Sequence, residues 1–158
     1  MKKNAFTLMG IVVIVFTLLT GCSSKNTTAK EPSIDEIDQN IKEAVDISNM
    51  VESDSDKLEK LYDIDIEEVE DFKLYTAKTN IEANELLLLK VKEEKDIEDI
   101  KEDIKDRIET QSSSFKDYLP DEYYLIEKNI LKSNGNYIIF VISEEAEKIE
   151  NIFDESFK

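Results

Sequence analysis

One cysteine, Cys22, stands at the end of an apolar run, directly after Leu19-Thr20-Gly21, and the chain has no histidine and no tryptophan. With one thiol and no imidazole, Ser-His-Asp and Cys-His catalysis, an internal disulfide and the usual zinc and haem ligand sets are excluded. The chemistry left belongs to the Cys22 thiol and to carboxylates, lysines, tyrosines and hydroxyls.

The residues around the thiol say what it is for. Met1-Lys2-Lys3-Asn4 is followed by an apolar run from Ala5 to Leu19, broken only by Thr7, Gly10 and Thr17. This is the n-region and h-region arrangement of an export signal, and at roughly 15 residues the run is shorter than the ~20 a spanning helix needs. Leu19-Thr20-Gly21-Cys22 resembles the bacterial lipoprotein lipobox, in which the Cys thiol accepts diacylglycerol and a peptidase cuts before it. Small residues suit a narrow peptidase site, and a thiolate is the nucleophile that lipid transfer requires. The expectation is that residues 1–21 are a lipoprotein signal peptide and that Cys22 is the lipidated N-terminus, held stably on a membrane by two acyl chains. The competing reading is an ordinary signal peptide or membrane helix with an incidental Cys.

The chain has 37 acidic residues, so close carboxylate pairs arise by chance. Glu85, beside the leucine run of "ELLLLKVK", is the one carboxylate whose apolar setting sets it apart. A carboxylate-based or metal-dependent hydrolase is therefore a lesser alternative. Asp54, Asp56, Asp63 and Asp65 are hard oxygen ligands, but read as an EF-hand loop they place Glu59 where Gly is needed and Leu58 at the third ligand position. They read better as caps and turns, and no metal is expected. Tyr118, Pro120, Tyr123 and Tyr124 form an aromatic cluster that could grip a glycan or a peptide, or simply rim a core. Of three glycines only Gly135 lies in the folded part, so phosphate loops, nucleotides and other cofactors have no support.

The formal net charge is -17, and subtracting the positive charges of Lys2 and Lys3 leaves -19 for a chain starting at Cys22. Nucleic acid is excluded as a partner, because phosphate binding needs a basic patch and Arg107 is the only arginine. The charge also opposes close contact with anionic lipid, so the membrane partnership runs through the lipid anchor, with an envelope protein as a possible further partner. The roughly 137 residues after the signal match one small domain.

Residues 22–32 are small and polar and read as a flexible tether, about 17 Å end to end. Residues 33–158 then form one domain. Ser33 with Glu36 makes a capping box for a helix carrying Ile34, Ile37, Ile41, Ala44 and Val45, with Ser48 on the same stripe. The "SDSD" at 53–56 caps a short helix with Leu58, Leu61 and Tyr62. "VEDFKLY" at 69–75 and "ELLLLKVK" at 85–92 read as an antiparallel pair of strands, although the four leucines alone fit a helix equally well. Lys95 to about Tyr118 is the clearest helix, with Ile97, Ile100, Ile104, Ile108, Gln111 and Phe115 on one stripe. Pairs at attractive spacings are Glu98–Lys101, Glu102–Lys105 and Asp103–Arg107. Pro120 stops that helix, and Tyr123 to Ile126 start another turn. Asn134-Gly135 marks a hairpin with a tight primed turn, and Ser143 caps a final helix carrying Ala146, Ile149, Ile152 and Phe153.

The fold class expected is α+β, a small antiparallel or mixed sheet of about four strands in two hairpins, packed against helices in the order α-β-β-α-β-β-α. "LYDIDIEEVEDF", "ANELLLLKVK", "QSSSFKDYLP" and "NGNYIIFVIS", in this order over roughly residues 33–143, resemble the DUF4358 family of bacterial lipoproteins, found mainly in Gram-positive Firmicutes. Where that family commonly has Gly after the first motif's Tyr, this chain has Asp63. The resemblance implies fold and cellular address, with no catalytic residues to carry over. The expected function is a membrane-anchored extracytoplasmic lipoprotein at the outer face of the cytoplasmic membrane, non-enzymatic, binding or accessory. A structural subunit or adaptor of a membrane complex is the other alternative.

Overall fold

In the computed structural model, residues 31–158 are described. The signal, the lipobox and Cys22 lie outside them. Helix α1 (Ile34–Ala44) leads to strand β1 (Met50–Ser53), helix α2 (Ser55–Tyr62), and the hairpin β2 (Val69–Ala77) and β3 (Glu85–Val91). The long helix α3 (Ile97–Phe115), the short helix α4 (Pro120–Glu127), the hairpin β4 (Ile130–Asn134) and β5 (Tyr137–Ile142), and helix α5 (Ala146–Glu155) complete it. The five strands form one antiparallel sheet in the order β1-β2-β3-β5-β4.

The fold class is therefore α+β, with one strand more than the sequence indicated. That strand, β1, is a four-residue edge on which only Met50 is buried, too short to show an alternating pattern. The central strands β3 and β5 have apolar side chains on both sides because helices cover both faces. Leu87, Leu89 and Val91 join Ile138, Phe140 and Ile142 under α2, α3 and α4. Leu86 and Leu88 join Tyr75, Tyr137, Ile139 and Val141 under α1 and α5. Four consecutive leucines thus form a strand, two to each layer.

Local chemistry sets the element ends. The Ser33–Glu36 capping box is complete: the Glu36 amide donates to Ser33 Oγ at 3.1 Å and the Ser33 amide to Glu36 Oε2 at 3.0 Å. α1 ends at Ala44, so Ser48 lies beyond its stripe. Asp54 caps α2, accepting from the Lys57 amide, and Asp65 caps the following 3-10 turn, accepting from the Glu67 amide. Asp63 closes α2 in the left-handed region, φ 57°, where glycine is at ease and Asp is tolerated. Ser143 does not cap α5 directly. It sits upstream and its Oγ takes the amide of Glu145, the residue in the cap position. In the β4–β5 turn Asn134 pairs with Tyr137, so the two turn residues are Gly135 and Asn136. Gly135 carries the positive φ and Asn136 does not, the signature of a II′ turn.

The chain enters the domain at one end of the sheet. Pro32 is buried, its carbonyl accepts from the Tyr137 hydroxyl at 2.8 Å, and Glu31 lies 3.7 Å from Lys90 near the end of β3. Glu85 opens β3, five residues back, about 17 Å away at strand rise. Among the described residues, no helix is long and apolar enough to cross a membrane.

Candidate functional site

At the end of the sheet away from Glu31, the β2–β3 loop, α2 and α3 enclose a cleft of about 300 Å³. Glu85 lies at its floor, 1% exposed. Glu85 occupies the position before Leu87 and Leu89 on the same strand face, so period-2 alternation points it into the core under α3. A carboxylate there needs partners, since burying one alone is costly.

The partners come from two helices. Arg107 Nε donates to Oε1 at 3.2 Å and Nη2 to Oε2 at 2.8 Å. Gln111, one turn along α3 and so on the same side, donates Nε2 to Oε2. The Tyr62 hydroxyl, from the last residue of α2, donates to Oε1. Four donors thus occupy the two carboxylate oxygens. Burial first, and then the charge of Glu85, push the Tyr62 hydroxyl well above its ordinary pKa. Burial acts to lower Arg107, but the hydrogen bonds and charge of Glu85 more than offset it, and the guanidinium is raised.

The cleft walls carry a second set of groups. Thr76 lies across from Glu85 in register, and its Oγ1 accepts from Lys57 Nζ at 2.7 Å and lies 3.3 Å from Ser53 Oγ. Glu82 and Asn84 come from the β2–β3 loop, and Glu82 Oε2 accepts from the Thr79 hydroxyl at 2.8 Å. Gln111, having turned its amide nitrogen to Glu85, leaves its Oε1 buried without a donor. The same loop is fastened to α4, because the Ala83 amide donates to Glu122 Oε2 at 2.7 Å.

A larger and shallower cleft, about 630 Å³, lies on the other face between the end of α1, the α1–β1 connection and β1–β2. Lys42 Nζ pairs with Asp38 Oδ2 at 2.7 Å and sits 4.8 Å over the Tyr75 ring. Burial alone lowers the Lys42 ammonium, yet Asp38 and Tyr75 hold it above its ordinary pKa. Lys42 and Asp38 pair at a helix–sheet contact, while Asp38 Oδ1 and the Tyr75 hydroxyl stay buried without a hydrogen-bond partner.

The aromatic cluster divides. Tyr123 packs on the core with Leu119 and Leu125, its hydroxyl donating to Glu127 at 3.0 Å. Tyr118 is 83% exposed, Pro120 is exposed, and Tyr124 lies under the Lys128 ammonium at 4.3 Å. These residues do not meet around the Glu85 cleft.

Sequence reading singled out Glu85 but gave Arg107 to Asp103. That pair is corrected: Arg107 turns inward to Glu85, 22 residues away, because a fully buried carboxylate needs the partner more than the half-buried Asp103 does. Lys57, Thr76 and Glu82 gave no sequence signal. Gln111 did, as an amide on an otherwise apolar helix stripe.

A family model with the description Domain of unknown function (DUF4358) matches residues 43–143, which contains β1 through β5 and every residue of the Glu85 cluster. No curated protein and no solved structure matches the chain.

Proposed function

The chain belongs to the DUF4358 family, a domain of unknown function, and from that premise we propose a lipid-anchored, extracytoplasmic lipoprotein whose α+β domain is a non-enzymatic binding or accessory module of the cell envelope. The observation that carries the non-enzymatic part is the saturation of Glu85. All four of its strong contacts are donors already in place, so neither oxygen is free to take a proton from a substrate. A hydrolase built on carboxylates needs two acids facing one cleft, and here the second, Glu82, lies with a floor group already spoken for. The anchor rests on Leu19, Thr20, Gly21 and Cys22.

The domain's own geometry fits such an anchor. Glu31 and Pro32 enter at the Lys90 and Tyr137 end of the sheet, so a chain anchored at Cys22 is tethered from the end of the sheet opposite the cleft. The adaptor reading has less support, since the large apolar side chains exposed among the described residues, Val51, Ile81, Tyr118 and Tyr124, come from separate elements.

Because Cys22 is the only cysteine, Asn80→Cys at the cleft rim gives a single new label site. A membrane-impermeant maleimide should label Asn80→Cys in intact cells of the host bacterium, and the protein should fractionate with membranes. Labelling only after lysis, or recovery in the cytosol, overturns the reading.

A further inference from the structure

The Glu85 cleft holds two opposite charges that are not used. Lys57 Nζ is half-buried on its wall, and its partner is a neutral hydroxyl, Thr76 Oγ1 at 2.7 Å. No carboxylate lies within ion-pair distance of it among the described residues, in a chain where acids outnumber bases 37 to 20. Glu82, half-buried on the loop side, takes the Thr79 hydroxyl and has no basic partner among the described residues. Both line one cleft without pairing to each other, whereas the other two charges there, Glu85 and Arg107, neutralise one another.

The rest of the lining mixes uncharged polar groups, Thr76, Asn80, Asn84 and Gln111 among them, with the apolar Leu61, Ala77 and Phe115, and Gln111 has an acceptor, Oε1, that no donor reaches. Unspent positive charge, unspent negative charge and an orphaned acceptor ask for a ligand with an anion at one end, a cation at the other and an N–H along it. A space of about 300 Å³ is at the small end of ligand sites. We infer that this cleft binds a small zwitterion of amino-acid to dipeptide size, its carboxylate on Lys57 Nζ and its ammonium on Glu82, with an N–H directed to Gln111. The inference rests on the binding-module reading and names the ligand class of the same site.

Calorimetry on the full-length lipidated chain, extracted in detergent, tests it with three probes: Ala-Ala, N-acetyl-Ala-Ala, which lacks the ammonium, and Ala-Ala amide, which lacks the carboxylate. Saturable binding of Ala-Ala at millimolar or tighter affinity is expected, with each blocked peptide weaker by roughly tenfold or more. Lys57→Met and Glu82→Gln, chosen as half-buried wall positions and checked for an unchanged melting temperature, should each reduce Ala-Ala binding to the level of the matching blocked peptide.

No saturable binding by Ala-Ala overturns the inference, as does equal binding of all three peptides or full binding by both folded variants. The binding-module reading survives those outcomes as long as Asn80→Cys is labelled on intact cells. Release of free alanine from Ala-Ala by the wild-type chain would instead overturn the non-enzymatic reading itself.

Discussion

Arg107 reaches from the middle of α3 to Glu85 at the start of β3, with Nη2 2.8 Å from Oε2 and Nε 3.2 Å from Oε1, a two-point clamp between the 19-residue helix α3 and the sheet. The guanidinium fork matches a carboxylate as an ammonium cannot. Glu85 is 1% exposed, so losing Arg107 leaves a buried charge with only the Tyr62 and Gln111 donors.

Removing one side of that clamp should therefore cost more than removing both. Arg107→Met is expected to destabilise the fold by about 3–5 kcal/mol, the cost of an orphaned buried charge. Glu85→Leu combined with Arg107→Met should recover part of that loss, since an apolar pair of similar volume suits the layer of Leu87 and Leu89. Urea denaturation of the two variants checks the order. A double variant less stable than Arg107→Met alone would contradict it.

Asp103 is the other half of the corrected pairing. With Arg107 turned inward, Asp103 sits on α3 near other acids, and its pKa is raised by partial burial first and then by Asp63, Asp106, Glu68 and Asp99. A carboxyl raised in the folded state opposes folding once it ionises, and this penalty vanishes below its ordinary value of 3.8. Asp103→Asn should therefore melt higher than wild type at neutral pH. The part of the gain that comes from the neighbouring acids should shrink with added salt, and the whole should disappear as pH falls through 3.8.

Tyr62 gives the opposite edge of the pH range. Its folded pKa is raised above the ordinary 10.0 by burial and by Glu85. The unfolded chain then loses that proton first, so the stabilising contribution is complete below 10.0 and is lost as pH rises toward the folded value. Tyr62→Phe should cost about 1–3 kcal/mol at neutral pH by leaving Glu85 one donor short. It should also flatten the alkaline fall in melting temperature relative to wild type.

Asp63 holds a left-handed conformation, φ 57° and ψ 20°, at the end of α2. Glycine has no side-chain penalty there, so Asp63→Gly should stabilise the domain by about 0.5–1 kcal/mol. A β-branched residue at the same place, Asp63→Val, should destabilise it. Thermal melts of the pair check the sign.

What could be read beforehand follows the range of the forces involved. The Ser33–Glu36 box and a tight turn at Gly135 depend on residues within four positions and are legible, the turn one residue early as Asn134-Gly135, whereas α3 ends at Phe115 and Pro120 opens α4 rather than stopping α3. The leucine run of β3 marks a fully buried segment, and its strand form, which four leucines alone do not separate from a helix, is set by pairing with β2 and β5. Arg107 was misassigned because the i,i+4 rule sees Asp103 and cannot see Glu85, which only the packing of α3 on β3 brings near. The edge strand β1 is ordered by its ladder to Leu74–Ala77 and not by its own four residues. Lys57 and Glu82 come together for the same reason, through tertiary closure of α2 over the β2–β3 loop. Two polar residues in apolar company, Glu85 in the leucine run and Gln111 on the helix stripe, were the sequence's one trace of the cluster.

The anchored, outward-facing binding domain stands or falls first on Cys22. The deciding measurement is the intact mass of the protein recovered from the membranes of its own host, together with that of Cys22→Ser. The account predicts a wild-type chain beginning at Cys22 and carrying a diacylglyceryl group, and a Cys22→Ser chain that is unacylated and either released or left as the uncut precursor. An unacylated wild-type chain that still begins at Met1, with Cys22→Ser equally membrane-bound, would contradict it.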